Sequence, residues 1–424
     1  MDGSCCLYAS RVFLYQKSVI RLNLLTLKIL ILSHKPPYPI LDGGCLAMAR
    51  LLEDLLSLQK VSKISYHSIE TTKHPFESSS FLQHDKLKVT PHFVDTGVTI
   101  YGAILALLRQ ESYNLTRFKS TEVHGAIKQE LQKENYDFVI FESLFAAVYA
   151  PNLRPYSKAK FIYRAHNIEH QIWKDLAGNT KNLPKKWYLN QLAYSLKWAE
   201  RSIWSEDQGG LDLILTISDT DLSIIEGQTL TACRYLPASI AHPAQQSTLA
   251  GQQLCFLGAF NWQPNIEAVD WFLAQIFPAL KQKYPAITFH IAGKGAELNK
   301  HWQQPGVVVH GFVPDAKEFI ATHGIFVGCL QSGSGVKMKI LEAMSVGAPI
   351  VLSRKSADGL PDLEPKLVQQ DQDAFLSDIL VLFESQERLI ERANYFLHYF
   401  ERHFEAKEVQ RQLLQMLEEL QNNR

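Results

Sequence analysis

Residues 331–344 combine the residue types that protein loops use to bind phosphate. Gly333 and Gly335 flank Ser334 between an apolar run and a helical pattern, so a ligand can approach the backbone closely. The free N–H groups at a helix start, together with the positive end of the helix dipole, attract anions. Lys337 falls in the first predicted turn, where its charge would reinforce such a site. The segment therefore predicts a phosphate-binding loop.

Glu342 lies further along the helix that this loop opens. Gly335, Met338 and Glu342 share one face of that helix, because seven residues make almost two full turns. With a rise of ~1.5 Å per residue, Glu342 lies roughly 10 Å along the axis from the loop, which suits a ribose. Its carboxylate can then accept hydrogen bonds from two vicinal hydroxyls. The alternative is a surface glutamate paired with Lys339, three residues away.

The elements that position these residues alternate between strand and helix patterns. In the amino half, residues 27–32 form an apolar run typical of a strand buried on both faces of a parallel sheet, and Gly43 and Gly44 follow it. The other predicted strands of this half are residues 61–67, 86–93, 136–141, 161–164 and 211–216, and its predicted helices are residues 45–59, 99–109, 122–133, 168–176 and 185–204. This alternation predicts a doubly wound α/β domain.

A second run of alternating elements follows a linker. Residues 237–253 are rich in Pro, Ala, Ser and Gln without apolar periodicity, which indicates the linker. Beyond it the predicted strands are residues 254–257, 287–292, 307–310, 325–329 and 349–352, and the predicted helices are residues 265–283, 336–346 and most of 374–420. We therefore expect an α/β protein with two Rossmann-like doubly wound domains facing a central cleft, where open α/β folds bind ligands.

Length and composition agree with this organisation. A chain of 424 residues is long enough for two domains, and 46% apolar with 20% charged residues is typical of a globular protein. Lys plus Arg and Asp plus Glu both number 43, so no global field draws the chain to nucleic acid or to an anionic membrane. Only a local basic patch would serve either partner.

Cysteine usage and the amino-terminal head indicate a cytoplasmic protein. The six cysteines show no C-x-x-C pair, which predicts reduced thiols. Residues 1–27 are interrupted by Arg11, Lys17 and Arg21 and lack a long uncharged segment, so we expect an extension outside the fold. No run approaches the ~18 to 20 apolar residues that span a bilayer. The cysteines are Cys5, Cys6, Cys45, Cys233, Cys255 and Cys329.

The predicted helix at residues 185–204 is both basic and aromatic. Such a helix can touch a membrane surface near a lipid-linked acceptor. We favour the alternative, in which the aromatic side chains belong to the core, because the chain has no net positive charge to assist membrane binding. The residues that define this helix are Lys185, Lys186, Trp187, Tyr188, Tyr194, Lys197, Trp198 and Trp204.

Fifteen histidines show no metal-ligand spacing.

Four motifs of the carboxy half occur in an ordered series: FLGAFNWQPN (256–265), IAGKG (291–295), VHGFVPD (309–315) and the glycine loop through Glu342. In this order and spacing they resemble the nucleotide-sugar half of GT-B glycosyltransferases, most closely the retaining "group 1" enzymes of family 4. Residues 34–44 resemble the first glycine-bearing loop of that fold, and RAHNIEH (164–170) resembles a motif of many members. The resemblance covers about residues 28–410.

The resemblance implies a role for each matching residue. The backbone of Gly43-Gly44 and of the Gly333-to-Gly335 loop would approach the diphosphate, and Lys337 would neutralise it. Glu342 would hold the ribose, the backbone near Val313 would meet the base, and His166 would face the transferred sugar. The implied donor-binding set is Gly43, Gly44, Gly258, Val313, Gly333, Ser334, Gly335, Lys337 and Glu342, and the implied catalytic set is His166, Lys337 and Glu342.

Elementary chemistry allows the role of His166. A histidine just past a strand end can hydrogen-bond a sugar hydroxyl or stabilise developing charge. The alternative is a histidine satisfied within its own turn by Asn167, Glu169 and His170.

Two positions depart from the family pattern. Ser334 stands where many members carry a glutamate eight residues before the ribose glutamate, so sugar contacts would come partly from serine and backbone amides. Residues 261–263 offer no basic residue after Gly258, so either Lys337 substitutes or the donor binds differently.

The resemblance implies a retaining glycosyltransferase that moves a sugar from a nucleoside diphosphate sugar to an acceptor hydroxyl, without metal or other cofactor. The acceptor would be a saccharide, a lipid-linked saccharide or a cell-surface polysaccharide intermediate. The enzyme would be cytoplasmic, with peripheral contact at the inner membrane face as an option. The alternatives are an epimerase or phosphorylase on the same fold, or a non-catalytic sugar-nucleotide-binding protein.

The same resemblance divides the chain. It implies an acceptor domain at residues 28–236 and a nucleotide-sugar domain at residues 254–390. The helical segment at residues 391–424 would return toward the amino-terminal domain.

Overall fold

The computed structural model describes residues 26–422 except 100, 103, 104, 107, 108, 110, 179, 242–245, 250 and 334. The predicted extension at residues 1–27, with Cys5 and Cys6, therefore lies almost wholly outside the described residues. The helix predicted at residues 99–109 lies partly outside them, and Ser334 lies outside them.

The amino half contains a parallel sheet. Its strands are β1 (Leu27–Ser33), β2 (Val61–Glu70), β3 (Leu87–Phe93), β4 (Phe138–Glu142), β5 (Lys160–Ala165), β6 (Leu213–Thr216) and β7 (Cys233–Tyr235). Across the described residues their order is β3-β2-β1-β4-β5-β6-β7. The central residues 29–32 of β1 are all apolar because both faces are covered: Leu30 and Leu32 join one core, and Ile29 and Ile31 join the other. The predicted doubly wound domain is confirmed.

Helices cover this sheet and begin at side-chain caps. Asp42 accepts a hydrogen bond from the Cys45 backbone N–H at 2.8 Å, so the first long helix begins at Gly43. Ser218 caps a later helix in the same way through Asp221. The helices are α1 (Gly43–Ser57), α2 (Tyr113–Thr116), α3 (Thr121–Lys133), α4 (Leu144–Ala147), α5 (Ala150–Leu153), α6 (Glu169–Gly178), α7 (Leu183–Trp204), α8 (Glu206–Gly209) and α9 (Asp219–Glu226).

The carboxy half repeats the architecture. Its strands are β8 (Gln253–Leu257), β9 (Thr288–Ala292), β10 (Val307–Gly311), β11 (Ile325–Gly328), β12 (Ile350–Ser353) and β13 (Val368–Gln369). Over the described part of the chain they form a second parallel sheet in the order β10-β9-β8-β11-β12-β13, the Rossmann order. In both sheets the strand order reverses beside the first strand, next to β4 and β11 respectively, and ligands of open α/β folds bind at such points.

The helices of the carboxy half are α10 (Gln263–Trp271), α11 (Phe277–Lys283), α12 (Ala316–Thr322), α13 (Met338–Ser345), α14 (Arg354–Ala357), α15 (Gln372–Glu384), α16 (Gln386–His403) and α17 (Ala406–Asn422). A π-helical turn, Phe272–Ile276, joins α10 to α11. Pro278 lies two residues after this turn and lacks the N–H that a regular α-helical bond would need, which favours the wider turn.

The helix after the glycine loop begins later than predicted. It starts at Met338 rather than at residue 336, and Lys337 is its cap, with an extended backbone (φ −95, ψ 96). Gly335 has φ 72, a left-handed conformation that interrupts helical geometry just before this point. The prediction that Lys337 lies in the first helical turn is therefore wrong.

The carboxy-terminal helices return to the amino half, as predicted. Val409, Leu413 and Leu417 of α17 are buried in the core beside β1. The predicted linker is partly buried too, since the Ile240 backbone N–H donates to the Phe404 carbonyl at 2.9 Å. Among the described residues, no helix is both long and apolar enough to cross a membrane.

Candidate active site in the cleft

Residues that follow β1 and β4 meet where the amino sheet reverses its order. His34 and Ser143 each come directly after one of these strands, and the Ser143 hydroxyl lies 2.7 Å from Nδ1 of His34. Ser143 has φ 85, a left-handed conformation that is uncommon for serine and that accompanies functional turns. Its backbone N–H donates to the Arg164 carbonyl, so β5 supports the strained turn.

A buried charge cluster lies at the ends of β4 and β5. Glu142 accepts from Nη1 of Arg164 at 3.2 Å and contacts Nε2 of His166 at 2.5 Å. The same Arg164 nitrogen donates to the Ala47 carbonyl of α1 at 3.0 Å. Glu142 and Arg164 are each 1% exposed, so the pair is closed to water. The alternative in which His166 is satisfied inside its own turn is wrong, because its partner comes from the neighbouring strand.

The cluster fixes the protonation of His166. Burial lowers the pKa of His166 below its ordinary value, although Glu142 opposes this shift. Burial alone would raise the pKa of Glu142, but Arg164 and His166 outweigh burial and lower it. Because a carboxylate only accepts hydrogen bonds, neutral His166 carries its proton on Nε2. Nδ1 of His166 is left as an acceptor.

The first glycine pair lies against a lysine and against the carboxy half. Lys35 donates from Nζ to both carboxylate oxygens of Asp42, at 2.6 and 2.8 Å. A β-carbon on Gly44 would lie 3.2 Å from that Nζ, and one on Gly43 would lie 3.3 Å from Cγ of Met338. Lys35 is a cation in the cleft that the sequence analysis missed. Its position two residues after β1 could have indicated it, because residues that follow the strands of a parallel sheet line the cleft.

The second glycine loop reaches the amino half. Gly333 has φ 105 and Gly335 has φ 72, so both positions favour glycine. A β-carbon on Gly335 would lie only 2.4 Å from Oδ1 of Asn167. Lys337 turns its ammonium group back to the Gly335 carbonyl, and burial lowers the pKa of Lys337 to about 8. Gly335, with Lys337 bound to its carbonyl, therefore lies against the residue that follows His166.

Lys339 is a second desolvated cation beside this loop. It donates to Oδ1 of Asn265 at 2.7 Å, and its ammonium lies 4.1 Å from the centroid of the Phe256 ring. Burial lowers the pKa of Lys339 to about 7. A β-carbon on Gly258 would lie 2.9 Å from the same Asn265 side chain, so this glycine allows Asn265 to face Lys339. The alternative that paired Lys339 with Glu342 is wrong.

Glu342 is partly buried on α13, two turns beyond the loop. Burial raises its pKa to about 7, although the positive charges of Lys317 and Arg50 oppose this shift. Within the described residues, no hydrogen bond to its carboxylate is formed by a side chain. Arg50 belongs to α1, so the carboxylate faces the amino half. Val313 is partly buried in the loop after β10 and packs against the core that holds α13.

The exposed face of α7 corrects another expectation. The aromatic side chains of this helix were predicted to be core, but Trp187, Tyr194 and Trp198 are 57, 61 and 58% exposed. Tyr188 is also exposed, whereas Trp204 is buried, in agreement with the core alternative. The buried stripe of α7 consists mainly of Leu189, Leu192 and Leu196, and Trp204 at the end of the helix is the aromatic residue that joins it.

Two parallel Rossmann sheets, with glycine loops of both halves meeting across the cleft, define the GT-B fold. Residues 251–385 match the sequence profile of the family Glycosyl transferases group 1. The fold and this match agree with the glycosyltransferase resemblance that the four motifs carry.

Relatives extend over most of the chain. An uncharacterized 44.6 kDa protein in the cps region of Klebsiella pneumoniae is 21% identical over 399 residues, which are 90% of this chain and 97% of that protein. HepE of Anabaena, solved with UDP and glucose, is similar with a TM-score of 0.63 and 14% identity, covering 93% of this chain and 100% of that chain. Sucrose-phosphate synthase of Thermosynechococcus elongatus is similar with a TM-score of 0.69 and 13% identity. The similarity covers 94% of this chain and 100% of that chain. These structural likenesses show the shared fold.

Proposed function

We propose that this protein is a retaining glycosyltransferase that takes a sugar from a nucleoside diphosphate sugar and transfers it to a hydroxyl of a saccharide or lipid-linked acceptor. The observation that supports the donor most strongly is the pair of desolvated lysines, Lys337 and Lys339, at the start of α13.

The two lysines favour a diphosphate. Neither lysine forms an ion pair in the described part of the chain. Burial therefore destabilises the charged form of each lysine without compensation from a carboxylate. A diphosphate between them would supply the missing negative charge, while the N–H groups of the glycine loop and of α13 would bind its oxygens. The left-handed Gly333 and Gly335 let this backbone approach the ligand.

Glu342 and Val313 would bind the nucleoside. The Glu342 carboxylate has no side-chain hydrogen-bond donor among the described residues, so it is available to accept from two ribose hydroxyls. The backbone near Val313 would meet the base. Gly258 supports the donor site indirectly, because it admits Asn265 to Lys339.

The chemistry that we propose proceeds with retention of the anomeric configuration. Glu142 is the carboxylate beside His166, but it is buried and held by Arg164, so it does not serve as a free nucleophile or base. The departing diphosphate oxygen would take the proton of the acceptor hydroxyl, on the same face of the sugar. Nδ1 of His166 would accept from a sugar hydroxyl and orient the ring. Domain closure would exclude water.

The relatives support the donor and acceptor classes. HepE was solved with UDP-glucose, and the pneumococcal O-GlcNAc transferase GtfA was solved with UDP and GlcNAc. These complexes favour a UDP-sugar as the first donor to test. The relative in the cps region favours a role in polysaccharide biosynthesis.

A donor screen tests the proposal. UDP-, GDP-, ADP- and TDP-sugars are added to the purified protein with and without EDTA, and thermal stability and release of nucleoside diphosphate are measured. We expect stabilisation by one nucleotide class that persists in EDTA, and its loss in Lys339→Met but not in Lys366→Met, an exposed control. No shift with any nucleotide would contradict the donor site. Once an acceptor is found, NMR of the product reports the anomeric configuration, and inversion would exclude the retaining mechanism.

We also propose that α7 rests on an anionic membrane surface. Its exposed face combines Trp187, Tyr194 and Trp198 with the cation Arg201, and the cation Lys197 flanks this face. Interfacial helices use aromatic rings for insertion and basic residues for anionic headgroups. This local patch compensates for the zero net charge of the chain.

Vesicle flotation tests the membrane contact. We expect the protein to float with phosphatidylglycerol-containing vesicles and less with pure phosphatidylcholine. The double variant Trp187→Ser, Trp198→Ser should lose flotation, whereas Leu230→Ser, which removes an exposed apolar side chain outside α7, should retain it. Equal flotation of the double variant would exclude this surface.

A further inference from the structure

Three histidines converge on one face of the carboxy-half sheet. His290 lies on β9, His310 lies on the neighbouring edge strand β10, and His323 follows α12. One ring nitrogen from each lies within 4.8 Å of the others. Sheet pairing explains the contact, because β9 and β10 are parallel neighbours and their register shifts between Val309 and Gly311, beside His310.

The ring nitrogens of His290 and His310 are close to the spacing of two ligands of one metal ion. Nδ1 of His290 lies 2.9 Å from Nε2 of His310. Two nitrogens bound tetrahedrally to one Zn²⁺ at ~2.0 to 2.1 Å are about 3.3 Å apart, so a movement of a few tenths of an ångström opens the pair around a metal. Without a metal, these two nitrogens share a single proton.

In two of the three rings, a hydrogen bond to one ring nitrogen leaves the other nitrogen available as a metal ligand. His323 donates from Nδ1 to the Phe319 carbonyl at 2.6 Å, which leaves Nε2 as its available ligand atom. Nε2 of His290 lies 3.1 Å from the Thr288 hydroxyl, which leaves Nδ1 for a metal. Metal-binding histidines characteristically donate their second ring nitrogen to a carbonyl or another fixed acceptor.

Ring contacts also hold the three histidines together. The ring centroids of His290 and His323 lie 4.3 Å apart, and those of His310 and His323 lie 5.2 Å apart. Over the described residues, no carboxylate forms an ion pair with any of the three rings. Among the described residues, no ion pair therefore explains why these three basic groups lie together.

We propose that His290, His310 and His323 bind one divalent transition metal, with Zn²⁺ as the expected ion and its fourth position open to water beside the exposed His310. Imidazole ligands favour Zn²⁺ and related metals over Mg²⁺ or Ca²⁺. The metal would join the edge strand β10 to β9 and α12, and so brace the loop after β10. This site is separate from sugar transfer, for which no metal was predicted.

Metal titration of the full-length chain tests the proposal without donor or acceptor. After removal of metal by chelator and dialysis, Zn²⁺ is added in a calorimeter, and Co²⁺ is added while its visible d–d absorption is recorded. We expect one equivalent to bind, a four-coordinate Co²⁺ spectrum and a higher melting temperature. His310→Ala should weaken binding by at least about tenfold. His398→Ala, at an exposed helical histidine, should bind as the wild type does.

Two results would overturn the site. One is the absence of a stoichiometric equivalent in the wild type, and the other is unchanged binding by His310→Ala. The exposure of His310 makes a folding defect unexpected, and the melting temperature without metal verifies this. His323→Gln provides a second variant, and it should lose the Co²⁺ spectrum in the same way. Because no nucleotide is used, failure here leaves the donor-screen result unaffected.

Discussion

Gly335 and Asn167 meet across the cleft so closely that a methyl group on Gly335 would lie 2.4 Å from the Asn167 Oδ1 atom. Gly335 belongs to the phosphate-loop candidate of the carboxy half, and Asn167 follows His166 in the amino half. A second contact, between Gly43 and Met338, joins the halves on the other side of the loop. The candidate phosphate loop thus lies against the residue that follows His166.

Gly335→Ala should therefore reduce activity. The added methyl would displace Asn167 or the loop, and φ 72 adds backbone strain of roughly 1 to 2 kcal/mol for alanine. We expect kcat/KM to fall at least about tenfold. Gly125→Ala is the matched control, because a β-carbon there contacts nothing within 4 Å, and this helical substitution should stabilise by about 0.5 to 1 kcal/mol. Full activity of Gly335→Ala would show that the contact is not needed for turnover.

Binding of a nucleoside diphosphate should take up protons. With pKa values of about 8 for Lys337 and about 7 for Lys339, both lysines are largely or partly neutral at pH 8. The bound diphosphate raises both pKa values, so we expect uptake of about one proton per UDP bound. Calorimetry in buffers of different ionisation enthalpy measures this number. Lys339→Met should reduce it, Lys366→Met should not, and binding without uptake would place the diphosphate away from these lysines.

Local patterns in the sequence were sufficient to predict the two parallel sheets. Alternating apolar runs and glycine-terminated strands predicted both Rossmann-like units, since a strand such as Ile325–Gly328 is buried on both faces and consists of apolar residues and glycine. The start of α13 was mispredicted because it depends on the left-handed conformation of Gly335, which lies against Asn167 of the other half and which a local pattern of residues does not specify.

The buried charges could not be predicted in this way. Glu142 and Lys339 look like surface residues in the sequence, and their partners Arg164 and Asn265 lie 22 and 74 positions away. Only the strand order, which brings β4 beside β5, places Glu142 next to His166. The histidine trio was missed for the same reason, because the contact runs between neighbouring strands instead of following a short ligand spacing.

Glu342→Gln should increase stability while it removes donor binding. Burial raises the pKa of Glu342 from 4.5 to about 7, so between these values the folded protein holds a proton that the unfolded chain releases. Stability therefore falls as the pH rises through this window. Neutral glutamine avoids this loss, so we expect the variant to match the wild type near pH 4.5 and to exceed it at pH 8 by up to about 3 kcal/mol. Urea unfolding at both pH values measures the difference, and nucleotide binding should be severely weakened. A variant less stable at pH 8 would contradict the pKa shift.

Glu142→Gln should disrupt the orientation of His166 and the stability of the amino half together. The carboxylate accepts from Nε2 of His166, whereas a carboxamide can donate to that atom and move the ring proton to Nδ1, which then no longer accepts from a sugar hydroxyl. Arg164 also loses its buried counter-charge, which costs roughly 3 to 5 kcal/mol.

We expect kcat to fall at least about tenfold while the donor KM changes little, because the diphosphate and ribose contacts are untouched. The pKa of Glu142 is lowered by folding, so its stabilising contribution is present above the pKa of an unfolded glutamate and is lost as the pH falls through the folded pKa. The stability difference between wild type and variant should therefore shrink in acid. Steady-state kinetics and urea unfolding at pH 7 and pH 4 measure both effects, with the exposed Glu111→Gln as control. Unchanged kcat in a folded Glu142→Gln protein would remove the proposed role of Nδ1 of His166 in orienting the sugar.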